Sequence, residues 1–173
     1  MDNEQEQVEF WLAGPISNIP DGLQPAAHAL LQSERELKKY TADFPKELLW
    51  AKVAGRASVG FHMNHLTGVL DRMLTYAKSE SLTEEQFTFL KQEGAFNLES
   101  EVEDLREQFS LKVTEALAYF KTIPEQTLTE KRSVGRKKLP STVIGLLFHA
   151  AEHSQRHIGQ LLVTVSVLKS NIS

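Results

Sequence analysis

His149-Ala-Ala-Glu-His153-Ser-Gln-Arg-His157-Ile-Gly-Gln160 sits inside a long apolar segment that follows Pro140 and runs to about Leu168. Leu146, Leu147, Ala150, Leu161 and Val165 recur at helical spacing, which predicts one long helix with Ser141 or Thr142 as its N-cap. Three of the six histidines lie four residues apart along it, each about one turn from the next on the same face. On a wheel of about 100° per residue, with His153 at zero, the apolar arc covers about 20° to 180°. His157 falls inside the arc at about 40°, His153 at its edge, and His149 outside it at about −40°, beside Arg156 and Gln160.

Three more long helical patterns precede this one. The first starts near Gln24-Pro25, where proline is tolerated in a first turn, passes through Leu30, Leu31 and Leu37, and stops before Pro45. The second runs from about Ser58 to Ala77 on Val59, Met63, Leu66, Leu70 and Leu74. The third starts between Asn97 and Ser100, carries Leu105, Phe109, Val113 and Phe120, and ends before Pro124. Ser81-Leu-Thr-Glu84 and Ser100-Glu-Val-Glu103 read as capping boxes, the former for a short helix ended by Gly94. Residues 1–20 form a lead-in, extended from Phe10 to Asp21 where Gly, Pro and Asn are frequent, and only Lys131 to Leu139 fits a small hairpin. The expectation is one all-α domain over residues 1–173, a four-helix bundle, the architecture that builds metal and cofactor sites from side chains on facing helices.

A chain of 173 residues suits one sizeable core, and a 41% hydrophobic, 24% charged composition is ordinary for a soluble globular protein. A net charge of −4 argues against nucleic acid as a partner. Without cysteine, disulfides, thiolate ligands and a cysteine nucleophile are excluded, and a transition metal must be bound by nitrogen and oxygen. The acidic start Met1-Asp-Asn-Glu-Gln-Glu6 does not resemble a secretory signal, and no apolar run approaches the roughly 20 residues that span a bilayer. A cytoplasmic protein with no membrane partner is expected.

His62 and His65 add two imidazoles on the second helix. The wheel places His62 slightly further into the apolar arc and His65 at its edge, and does not choose between them. A single histidine on an apolar face is most often a hydrogen-bonded core residue. Several neutral imidazoles on two facing helices each need a partner, and one ion satisfies three at once. The H-E-x-x-H pattern is absent, and no histidine has the Glu three residues before it that di-iron bundles require. A mononuclear three-histidine site remains, suited to Zn²⁺, Ni²⁺ or Fe²⁺. A zinc ion with an open position lowers the pKa of a coordinated water to about 7.

Read together, Ser58-Val-Gly-Phe-His-Met-Asn-His65 with Asp71-Arg72-Met-Leu-Thr-Tyr76, and the His149 to Gln160 motif, resemble the DinB-like (DinB/YfiT) metalloenzyme superfamily. Trp11-Leu-Ala-Gly14-Pro15, Pro25-Ala-Ala-His28-Ala-Leu30 and Val134-Gly-Arg-Lys-Lys-Leu-Pro140 are similar to parts of it as well, so the resemblance covers nearly the whole chain. It implies up-down-down-up connectivity, frequent dimers, and a metal held by His65, His153 and His157. His62 and His149 then become residues behind the ligands or in the pocket, with Arg156 and His28 as further pocket candidates. Ile158 departs from the pattern, because many members carry Arg there. Some members are transferases that use low-molecular-weight thiols and one is an isomerase, so the fold and site transfer more readily than the reaction.

The expected function is therefore a divalent-metal enzyme, a hydrolase or thiol-dependent transferase acting on a small molecule. The alternatives are a non-catalytic metal-binding helical homodimer with a structural or stress-response role, and a b-type haem bundle with two axial histidines. Lys131, Arg132, Arg136, Lys137 and Lys138 read as a solvated loop or as a lip that draws an anion to the metal. Glu152, the one carboxylate beside the motif, is turned away on the wheel, so no general base is assigned.

Overall fold

The computed structural model describes residues 8–171. The acidic segment 1–7, and with it the first part of the lead-in, lies outside the described residues. Among the described residues, five α-helices and one hairpin form the framework: α1 (Gln24–Tyr40), α2 (Val59–Ala77), α3 (Glu84–Gln92), α4 (Val102–Phe120), β1 (Lys131–Val134), β2 (Leu139–Thr142) and α5 (Val143–Ser170). The class is all-α with a small antiparallel ribbon. β1 pairs with β2 in a register that sets Lys131 opposite Thr142 and Val134 opposite Leu139.

Each long helix hides one stripe of its surface. α1 buries Ala26, Ala27, Leu30, Ser33 and Leu37, and α4 buries Leu105, Phe109, Val113, Ala116 and Phe120 at helical spacing. α5 and α4 both pack against α1 and against α2, and α3 lies on α2. The largest fully enclosed side chains, among them Phe109, Phe120, Leu30, Met63, Leu66, Leu147 and Ile158, fill the space between the four long helices. Burying a side chain of that size contributes about 1.5–3 kcal/mol.

The helix starts follow local chemistry. The Ser58 hydroxyl accepts from Phe61 N at 3.2 Å and the Thr142 hydroxyl from Gly145 N at 3.1 Å, so α2 and α5 begin at side-chain caps. The box expected from Ser81 forms instead between Thr83 and Gln86, with both reciprocal bonds present. Gln86 also donates to Asp71 Oδ2 at 2.6 Å and Thr75 Oγ1 at 2.8 Å, which ties the start of α3 to α2 and fixes the later position. The box expected from Ser100 does not form. Glu101 is the N-cap without a side-chain bond, because its carboxylate pairs with Lys46 and that of Glu103 with Arg106.

The lead-in is less extended than its composition suggests. Phe10–Leu12 and Asp21–Leu23 are 3-10 turns, and α1 holds the first of them and the segment between the two. Arg35 stacks 4.6 Å from the Phe10 ring, and Gln24 binds the backbone of Ile16 and Ile19. No helix among the described residues is long and apolar enough to cross a membrane.

Candidate metal centre

α2 and α5 face each other across their histidines. His65 Nε2 lies 2.9 Å from His153 Nε2, and His62 Nδ1 lies 2.9 Å from His157 Nδ1. The ring centroids of His65 and His157 are 4.5 Å apart and those of His153 and His157 are 4.6 Å apart. His65, His153 and His157 each offer one ring nitrogen within a common 4.8 Å. Helical spacing produces this convergence: His153 and His157 stack one turn apart on α5, and His65 reaches in from α2. Among the five motif histidines His62 is the most enclosed, at 3% exposure.

Behind His65 stands a residue that sequence reasoning missed. Glu93, which directly follows α3, is 3% exposed, and its Oε2 accepts from His65 Nδ1 at 2.7 Å. Its Oε1 accepts from Arg72 Nη1 at 2.6 Å. A carboxylate only accepts, so the proton of His65 sits on Nδ1 and its Nε2 lone pair faces His153. Carboxylate–histidine–metal relays are built this way. The approach requires Gly68. A Cβ there would stand 2.2 Å from Glu93 Oε1 and 2.7 Å from Arg72 Nη1. The only sequence signal was Gly68 in mid-helix and a Glu just after a short helix, and neither residue belongs to a recognisable motif.

Burial keeps three of the imidazoles neutral. Removal from water, reinforced by the neighbouring histidines, lowers the pKa to about 4 for His62, about 4 for His153 and about 3 for His157. Neutral imidazole is the ligand form. His153 Nδ1 is buried without a hydrogen-bond partner among the described residues, while Nε2 of the same ring faces His65. Two nitrogens bound at 2.0–2.1 Å to one tetrahedral ion stand about 3.3 Å apart. The observed 2.9 Å between His65 Nε2 and His153 Nε2 is close to that spacing. The donor set therefore fits a divalent ion, and the residues that would hold it are His65, His153 and His157.

The remaining candidates fall around this cluster. His62 stands beside His157 on the α2 side. His149 Nδ1 pairs with Glu152 Oε1 at 2.8 Å on the exposed rim, and Glu152 also binds Arg156. His149, Glu152 and His153 make a second, more open grouping of possible ligands. His28 Nε2 lies 3.0 Å from the Gly14 carbonyl, so it fastens the lead-in to α1 and belongs to neither grouping. The basic hairpin is not a lip of the cluster. Arg132 Nε donates to Ala77 O at 2.7 Å, which pins the hairpin to the far end of α2. Twelve residues of helix separate Ala77 from His65, about 18 Å along the axis. Ile158 is 1% exposed and packs in the core.

One cleft of about 740 Å³ opens beside the cluster, with His62 in its wall and Arg56, Arg156 and Gln160 around it. A family model described as the DinB superfamily matches residues 29–161. A crystal structure of a Streptococcus pneumoniae protein superposes with a TM-score of 0.63 at 9% identity, over 86% of this chain and 90% of that one. That likeness concerns the fold alone. No curated protein matches the chain in sequence.

Proposed function

The chain belongs to the DinB superfamily, and from that premise we propose that it is a divalent-metal enzyme acting on a small molecule, by hydrolysis or by thiol transfer. One observation carries this reading: His65, His153 and His157 converge from two helices, with Glu93 behind His65. In this reading the four long helices form one up-down-down-up bundle domain, which acts as a homodimer in the cytoplasm. The three histidines hold one Zn²⁺, Ni²⁺ or Fe²⁺.

When bound, such an ion supplies Lewis acidity and lowers the pKa of a water or thiol at an open position. The chain's own groups do the rest. Glu93 keeps the His65 proton on Nδ1 and so presents Nε2. The proton shared between His62 Nδ1 and His157 Nδ1 orients the His157 ring. His62 places an imidazole in the wall of the cleft, where a reacting group would enter. Core residues such as Met63 and Leu66 shut water out from behind.

The test uses cobalt-substituted protein. Addition of 2-mercaptoethanol should shift the visible cobalt bands and add a thiolate charge-transfer band, as expected of an open coordination position. Unchanged spectra with the thiol and with azide would indicate a closed site and favour the non-catalytic metal-binding dimer.

A further inference from the structure

The loop that leads into α2 carries an arginine that the histidine cluster does not use. Val53 O accepts the Arg56 N–H at 2.8 Å, and two consecutive left-handed residues, Ala54 at φ 48° and Gly55 at φ 70°, bend the chain there. An alanine rarely adopts that conformation. The bend sets Arg56 and Ala57 against α5, where they form one wall of the cleft that His62 also lines. Arg156, Gln160 and Val163 of α5 complete it.

The charge of this cleft is one-sided. No lining residue is acidic. The Arg56 guanidinium has no partner among the described residues. Arg156 holds Glu152 through Nη2 alone, at 2.8 and 2.6 Å, which leaves Nε and Nη1 without a partner among the described residues. The N-terminus of α2 adds its positive end. Its first donors are already taken, Gly60 N by Leu49 O and Phe61 N by the Ser58 hydroxyl, so an anion here would be held by side chains. Planar guanidinium groups bind carboxylate and phosphate oxygens in pairs. Val163, 63% exposed, offers apolar surface beside them.

We propose that this cleft is the substrate pocket of the metal centre and selects small molecules bearing a carboxylate or phosphate, held between Arg56 and Arg156. The substrate role rests on the metal-enzyme reading above; the anion selectivity does not. The basic hairpin lines a different cleft of about 620 Å³, which Glu80 shares, and is the natural control.

Calorimetric titration of the metal-free protein with inorganic phosphate and with succinate tests the selectivity, with glycerol as the neutral probe. Arg56 and Arg156 are exposed, so their variants keep the fold. Arg56→Gln and Arg156→Gln should each weaken binding of the preferred anion by about tenfold, and Arg136→Gln should leave it unchanged. Stronger binding of phosphate or of succinate tells which headgroup is used. Binding unaffected by Arg56→Gln, abolished by Arg136→Gln, or matched by glycerol would overturn the proposal. Metal content of the same preparations is read separately. Arg56-dependent anion binding in a chain that takes up no metal would sink the metal-enzyme reading alone.

Discussion

Glu93 Oε2 lies 2.7 Å from His65 Nδ1, while its other oxygen lies 2.6 Å from Arg72 Nη1. One buried carboxylate thus joins a guanidinium of α2 to the imidazole that faces α5. Removing its charge without its shape isolates this link. Glu93→Gln should weaken divalent-metal affinity by about 10–100-fold, measured by competition with a chromophoric chelator. Glu93→Ala should in addition destabilise the fold by about 3–5 kcal/mol, because Arg72, 7% exposed, is left without its counter-charge. Unaltered metal affinity in Glu93→Gln would remove Glu93 from the account.

Gly68 gives a second view of the same contact. In Gly68→Ala the new methyl meets Glu93 Oε1 at 2.2 Å, too close to be accommodated without displacing the carboxylate. The expected cost is about 1–3 kcal/mol in chemical denaturation, with metal affinity falling in parallel. An exposed helix glycine would instead gain stability from alanine, so the sign of the change decides.

The buried imidazoles predict an acid-sensitive apo protein. His62, His153 and His157 titrate near 4, 4 and 3, below the ordinary 6.5. Between pH 6.5 and those values the unfolded chain binds protons that the folded chain refuses. Their contribution is therefore fully present above about pH 6.5 and is lost as pH falls toward 4. Chelator-treated protein should melt at progressively lower temperature from pH 7 to pH 5, a window above the ordinary carboxylate range. A flat profile there would contradict the burial of these groups.

Metal loading should act in the opposite direction. An ion that binds only the folded chain adds about 2.7 kcal/mol at a hundredfold excess over its Kd, which raises the midpoint of a domain this size by roughly 5–10 °C. Differential scanning fluorimetry with zinc and nickel measures it, and no shift with either would count against a site in the folded protein.

The helices were legible because each apolar stripe repeats at the helical period, and Thr142, one of the two caps offered for the last helix, marks its start. The wheel set His153 and His157 apart from His149; in the structure the first two meet His65, while His149 sits on the rim with Glu152, where it also groups with His153. It could not order His62 against His65, because burial and facing differ. His62 is the deeper of the two, yet it is His65 that falls within reach of both α5 histidines. Glu93 was invisible because it lies 28 positions from its partner, a long-range contact that no periodicity reports. The two misplaced capping boxes have different causes. Gln86 caps with Thr83 while Asp71 and Thr75 hold its amide, and Glu103 pairs one turn on with Arg106 of the same helix, beside Glu101 bound to Lys46.

The central claim is that His65, His153 and His157 hold one divalent metal ion. Its most direct test is metal stoichiometry, by plasma mass spectrometry, of purified wild type, His153→Ala and His149→Ala after equilibration with zinc and gel filtration. The account predicts about one ion per chain in wild type, retention in His149→Ala and loss in His153→Ala. Full retention of stoichiometric metal in a folded His153→Ala protein would contradict it.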